Sequence, residues 1–207
     1  MKSHILISIV IFFIISPAYA GQNIVILGDS LSTGYGLKPK QSWVNIMDQK
    51  LKKYYPKANL INLSQSGRST REGVGVASKW LHKYKPDILI IALGGNDILQ
   101  GQNPITIKNN LETVILSNPK YECILLVEVP VPPHYPKRYR QNIKSNMDEL
   151  SKNFKGVTLI GNFLDQAYKN KHFQKDGIHP SSEAQSSMAT VVWKSVTPML
   201  DQCLTKQ

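Results

Sequence analysis

Cysteine is scarce: the 207-residue chain holds two, Cys123 and Cys203. Two cysteines cannot build a disulfide framework, and neither stands in a metal-binding spacing such as C-x-x-C. The histidines are five, and no H-x-H or H-E-x-x-H pair occurs among them, which removes the usual signatures of a metal-dependent hydrolase. No apolar run approaches the ~20 residues that cross a bilayer. No internal repeat, low-complexity tract or linker interrupts the chain. Acidic residues are also few, 14 against 25 Lys and Arg, leaving a formal charge of +11. That excess is scattered over Lys50, Lys52, Lys53 and Lys57, then Lys79, Lys83 and Lys85, then Lys137, Arg138 and Arg140. No basic block interleaves with aromatics, so nucleic acid is not an expected partner. A cationic surface suits weak attraction to anionic membranes or lipid head groups, but a plain solubility role is the preferred reading.

What is present is a globular composition, 42% hydrophobic and 19% charged, in a length that suits one domain. The first twenty residues stand apart. Lys2 opens an apolar run from Ile5 to Ile15 that only Ser8 interrupts, Pro17 breaks it, and Ala18-Tyr19-Ala20 supplies a small-x-small cleavage site. Residues 1–20 are therefore expected to be a cleaved export signal, with 21–207 as a single soluble domain, monomeric and periplasmic or secreted. Gly21, not cysteine, follows the cut, so no lipid can be attached there. Export permits a disulfide. Cys123 lies inside an apolar run, where a buried inert thiol is the commoner state, and its pairing with Cys203 stays open.

Five short runs rich in Ile, Val and Leu recur at Asn23–Leu27, Ala58–Leu63, Asp87–Leu93, Glu122–Val129 and Val157–Ile160. They are nearly continuous rather than alternating, as strands buried on both faces of a parallel sheet are. Helical spacing separates them: Trp43, Ile46, Met47, Leu51 and Tyr54; Val74, Ala77, Leu81 and Tyr84; Ile107, Leu111 and Ile115. A last helix is expected from Ser182 to Leu200, capped by Ser181. The pattern predicts a three-layer α/β/α sandwich on a five-stranded, mainly parallel sheet. Ligands then bind beyond the carboxyl ends of the strands, in the loops 28–36, 64–71, 94–102 and 130–139.

Chemistry gathers in those loops. Gly28-Asp29-Ser30 ends the first run and presents Ser30, a candidate nucleophile that needs a base. His179 is the histidine placed to serve, in Asp176-Gly177-Ile178-His179-Pro180. A carboxylate three residues away can hold one ring nitrogen and leave the other for Ser30. Oxyanion donors are available as the N–H of Ser30, the N–H of Gly67 and the side-chain amide of Asn96. Taken singly, each feature also reads as ordinary loop chemistry: a helix cap, a helix-entry turn, a glycine bend.

GDSLS at 28–32, Gly67, GGND at 94–97 and DGIHP at 176–180 together resemble the four blocks of the SGNH hydrolases, or GDSL esterases/lipases. The similarity spans residues 21–207 and is nearest to the periplasmic thioesterase I/lysophospholipase/arylesterase branch. It implies a flavodoxin-like fold and Ser30 as nucleophile, His179 as base and Asp176 as its partner. It also implies an oxyanion hole from Ser30, Gly67 and Asn96, with Asp29 and Asp97 holding loops. The implied substrates are acyl esters, thioesters and lysolipids, with no cofactor and no metal. Arg68 and Ile98 depart from the branch's usual residues at the cleft's border. Three rivals remain: a carbohydrate O-acetylesterase, a metal-dependent hydrolase built on Asp29, Asp97, Asp176 and His179, and a non-catalytic binding domain.

Overall fold

The computed structural model describes residues 22–118 and 123–204. The expected export signal, residues 1–20, lies outside the described residues. Strands β1 (Gln22–Gly28), β2 (Ala58–Asn62), β3 (Ile88–Ala92), β4 (Ile124–Val127) and β5 (Val157–Ile160) form one sheet in the order β2-β1-β3-β4-β5. Every neighbouring pair is parallel. The run 122–129 continues past the end of β4: Glu128 N still donates to Ile160 O at 2.9 Å, and Pro130 has no N–H with which to extend the ladder further.

Side chains alternate across this sheet. Ile24, Ile26, Ile88, Ile90 and Leu125 meet Trp43, Met47 and Leu51 of α2 (Trp43–Tyr54) and Met188 and Val192 of α8 (Ser182–Leu204). Val25, Leu27, Leu89, Ile91 and Leu126 face the other way. They pack on α3 (Thr70–Tyr84), α5 (Pro104–Leu116) and α6 (Lys137–Asn153). Both faces are thus covered, and each fully buried aliphatic side chain contributes roughly 1.5–3 kcal/mol. Three short helices, α1 (Ser30–Thr33), α4 (Gly95–Leu99) and α7 (Asp165–Asn170), follow β1, β3 and β5 at the carboxyl end of the sheet. Among the described residues no helix is long and apolar enough to cross a membrane.

Two expectations need correction, and the cysteine pairing left open is settled. The loop after β4 stops at Pro136, where α6 begins. The last helix runs past Leu200 to Leu204, through Pro198. Cys123 is buried, but it is no free thiol: it forms a disulfide with Cys203, their Cα atoms 6.7 Å apart. The extra turn of α8 carries Cys203 to the foot of β4, at the end of the sheet opposite Ser30.

Candidate active site

Four loops converge at the carboxyl end of the sheet. At the end of β1 a Cβ on Gly28 would lie 2.7 Å from Ser32 Oγ and 2.9 Å from Ser64 Oγ, so only hydrogen fits. The Asp29 side chain caps α1 by accepting from Leu31 N at 3.0 Å. Ser30 becomes the first residue of α1, where a helix leaves its N–H groups unpaired. Asp29 itself is buried, and burial pushes its carboxyl up to about 6 against the opposing pull of the Leu31 N–H and His179.

The second loop enters α8. Gln174 N donates to His179 O at 2.8 Å and Ser181 N to His172 O at 2.9 Å, closing a small loop around Gly177, whose φ of 69° is left-handed. One oxygen of Asp176 accepts from Ile178 N at 2.9 Å and His179 N at 3.0 Å. The other lies 2.7 Å from His179 Nδ1. Bonds from the His179 backbone, its ring and the Ile178 N–H hold the Asp176 carboxyl down at about 2. An ionised Asp176 can only accept, so Nδ1 is the donor in this pair, and in the neutral imidazole the acceptor is then Nε2. Ser30 Oγ stands 3.0 Å from that nitrogen, within donating distance.

Asn96 and Gly67 come from the remaining two loops. Asn96 sits in α4 and donates through Nδ2 to Asp29 Oδ2 at 3.3 Å and to Arg68 O at 3.1 Å. Gly67 has a φ of 81°, and a Cβ there would meet nothing within 4 Å. Its loop is tied to that of Ser30 through Ser66 Oγ and Thr33 Oγ1, 2.9 Å apart. Ser30, Asn96 and His179 line one cavity of about 170 Å³, whereas Gly67 does not. The cavity's remaining walls are mostly apolar, with Leu31, Ile98, Val129, Leu164, Tyr168 and Ile178 among them.

A family model described as "GDSL-like Lipase/Acylhydrolase family" matches residues 26–186. The chain belongs to the GDSL-like lipase/acylhydrolase family. It is an ester hydrolase. An arylesterase of Vibrio mimicus is 34% identical over 190 residues, covering 90% of this chain and 94% of that protein. The thioesterase 1/protease 1/lysophospholipase L1 of Escherichia coli K12 is 31% identical over 189 residues, covering 89% and 88% respectively. The crystal structure of TesA superposes with a TM-score of 0.81 at 29% identity, over 86% of this chain and all of that one.

Within this GDSL hydrolase the two departures separate. Ile98 lines the cavity, but Arg68 does not: its guanidinium turns back onto the Leu63 carbonyl and onto Gln65 Oε1 at 3.0 Å. Asp97 faces away from the cavity, accepting from Thr70 N at 2.8 Å and Thr70 Oγ1 at 2.6 Å, and so pins α4 to the start of α3. Two residues of the site escaped the sequence reading. Tyr35 lays its ring 4.6 Å from that of His179. Gln174 donates through Nε2 to Tyr35 O at 2.7 Å and Pro180 O at 3.2 Å, strapping the histidine loop to the loop after α1. A Gln two residues before Asp176 carries no motif, so only the three-dimensional contact reveals it. Among the described residues no group of three His, Cys, Asp or Glu could hold a metal ion.

Proposed function

We propose that Ser30, His179 and Asp176 form the catalytic triad of an esterase acting on acyl chains, with an acyl-enzyme on Ser30. The observation that carries this reading is the unbroken path from Ser30 Oγ to His179 Nε2 at 3.0 Å and from His179 Nδ1 to Asp176 at 2.7 Å. Ser30 Oγ attacks the acyl carbonyl carbon while its proton passes to Nε2. Asp176 keeps Nδ1–H in place and stabilises the imidazolium. The carbonyl oxygen, now negative, takes hydrogen bonds from the N–H groups of Ser30 and Gly67 and from the Asn96 amide. Collapse expels the alcohol or thiol, which takes the proton from Nε2. A water then repeats the sequence, releasing the acid and restoring Ser30.

The apolar walls suit acyl chains, lysophospholipids and aryl esters among them, better than acetylated sugars, whose hydroxyls would face Leu31, Ile98 and Val129 without partners. A thioester or aryl ester has a good leaving group, so attack by Ser30 is the main barrier. The domain is read as a monomer released by cleavage after Ala20 into the periplasm or medium. The Cys123–Cys203 disulfide accords with such an oxidising compartment. A chain-length series of p-nitrophenyl esters tests the whole reading, with fluorophosphonate labelling of Ser30 as its companion. Octanoate and longer esters should be turned over by the wild type and not by Ser30→Ala. Turnover of acetylated sugars alone would hand the site to the carbohydrate esterases.

A further inference from the structure

Among the described residues, five of the seven exposed large hydrophobic side chains stand at the catalytic end of the sheet: Tyr35, Leu99, Ile105, Tyr168 and Ile178. The other two, Tyr54 and Leu116, lie on α2 and α5, which cover opposite faces of the sheet, and so form no patch. Three of the five crowd onto one lip of the cleft. Tyr35 belongs to the loop after α1; Tyr168 stands in α7 and Ile178 in the histidine loop; and Gln174 bonds the loop after α1 to the histidine loop. These side chains are 53%, 46% and 49% exposed.

The same lip is cationic. Segments 35–40 and 168–178 contribute Lys38, Lys40, Lys169, Lys171 and Lys175, all exposed. Asp176 is the only acidic residue in either segment, and both its oxygens are turned to His179 and the Ile178 N–H. Among the described residues none of the five lysines is paired with a carboxylate or seated over a ring. Several lysines elsewhere are engaged. Lys79 and Lys83 lie over Trp80, and Lys50 over Trp193.

We infer that this lip docks the protein on a bilayer containing anionic phospholipid. Lysines whose apolar stems run along the surface and whose heads reach phosphate, interleaved with exposed tyrosine and isoleucine, make an interfacial surface. Each lysine near an anionic membrane contributes enough attraction to strengthen binding about fivefold. What selects a bilayer over a soluble polyanion is continuity: Tyr168 and Ile178 both stand on the lip and line the cavity. An acyl chain leaving the membrane would pass from lipid to cleft without crossing water. The inference deepens the acyl-chain reading of the site, and its test is kept separate from turnover.

Ser30→Ala protein is sedimented with vesicles of phosphatidylcholine alone or mixed with phosphatidylglycerol, at low and high salt. Binding should require the anionic lipid and weaken with salt. In the same background Lys169→Gln/Lys175→Gln should lower the partition coefficient about 25-fold, by the fivefold per lysine above. Lys79→Gln/Lys83→Gln, at the far end of α3, should change it little. With Ser30 intact, the lip variant should keep wild-type kcat/KM on p-nitrophenyl acetate. Equal weakening by both pairs would reduce the effect to net charge and overturn the docking face. Heparin binding as tight as vesicle binding, and lost in parallel, would replace the bilayer with a general polyanion. Vesicle binding that ignores phosphatidylglycerol would also end the proposal. Failure of all ester turnover alongside normal vesicle binding would instead strike the catalytic reading.

Discussion

The Asn96 amide bridges to Asp29 across the base of the cleft, Nδ2 lying 3.3 Å from Oδ2, and its second hydrogen goes to Arg68 O at 3.1 Å. Resting Asn96 is therefore a brace between the β1 and β2 loops, and in the proposed reaction it turns one of those bonds towards the oxyanion. Both duties can be measured on Asn96→Ala. Losing the oxyanion donor should lower kcat by roughly 10²–10³-fold with little change in KM. Losing the brace leaves the buried Asp29 carboxyl one donor short and should destabilise the fold by about 1–3 kcal/mol. A variant with a lower Tm but wild-type kcat per folded molecule, assayed well below that Tm, would leave Asn96 with the brace alone.

Asp176→Asn separates holding the loop from holding the histidine. The Asn side-chain oxygen can still accept from Ile178 N and His179 N, so the loop and the Tm should change little. The amide nitrogen, however, would face His179 Nδ1 as a donor and favour the tautomer that carries its proton on Nε2. Ser30 then has no base. The expected fall in kcat is about 10⁴-fold, as for the same exchange in other Ser-His-Asp triads. Activity within tenfold of wild type would show that Asp176 does not set the tautomer.

The fold was legible because its strands are buried on both sides: runs such as Asp87–Leu93 need no alternation and end where Gly94 begins a loop. The meeting of Ser30, His179 and Asp176 was legible because they lie in two short loops whose glycines and prolines announce turns. The missed elements failed for physical reasons. Helix α6 is so rich in Lys, Arg and Asn that its three buried residues, Ile143, Met147 and Leu150, were overlooked, although their spacing of four and three is helical. The disulfide was not readable, since pairing 80 residues apart depends on how far α8 continues beyond Leu200. Arg68 could not be placed from its neighbours either, because its partners are a carbonyl and Gln65 in its own loop.

The disulfide supplies a prediction about stability alone. It closes a separation of 80 residues, which the chain-entropy model values at about 4–5 kcal/mol. Cys203→Ser, or reduction of the wild type, should lower Tm substantially. Because the bond lies at the foot of β4, kcat at 25 °C should stay near wild type. Loss of kcat in the folded, reduced protein would show that a change at that end reaches Ser30 and His179.

The last prediction concerns the buried carboxyl of Asp29. Folded, it holds its proton up to about 6, against 3.8 for an ordinary aspartate. Between those values the unfolded chain has released the proton and the folded chain has not. Stability from this group is therefore present at low pH and declines as pH rises, by up to about 1.4 kcal/mol per pH unit, until both states are ionised above about 6. Asp176 works in the opposite sense and in a lower window, since its folded value of about 2 lies below the ordinary one. Asn at position 29 keeps an oxygen for the Leu31 N–H but has no proton to lose. The Tm of Asp29→Asn minus that of wild type should thus rise steadily from about pH 4 to about pH 6 and level off beyond. A difference that stays flat across that range would mean that Asp29 titrates as an exposed carboxyl does, and that burial behind Ser30 leaves its charge unopposed.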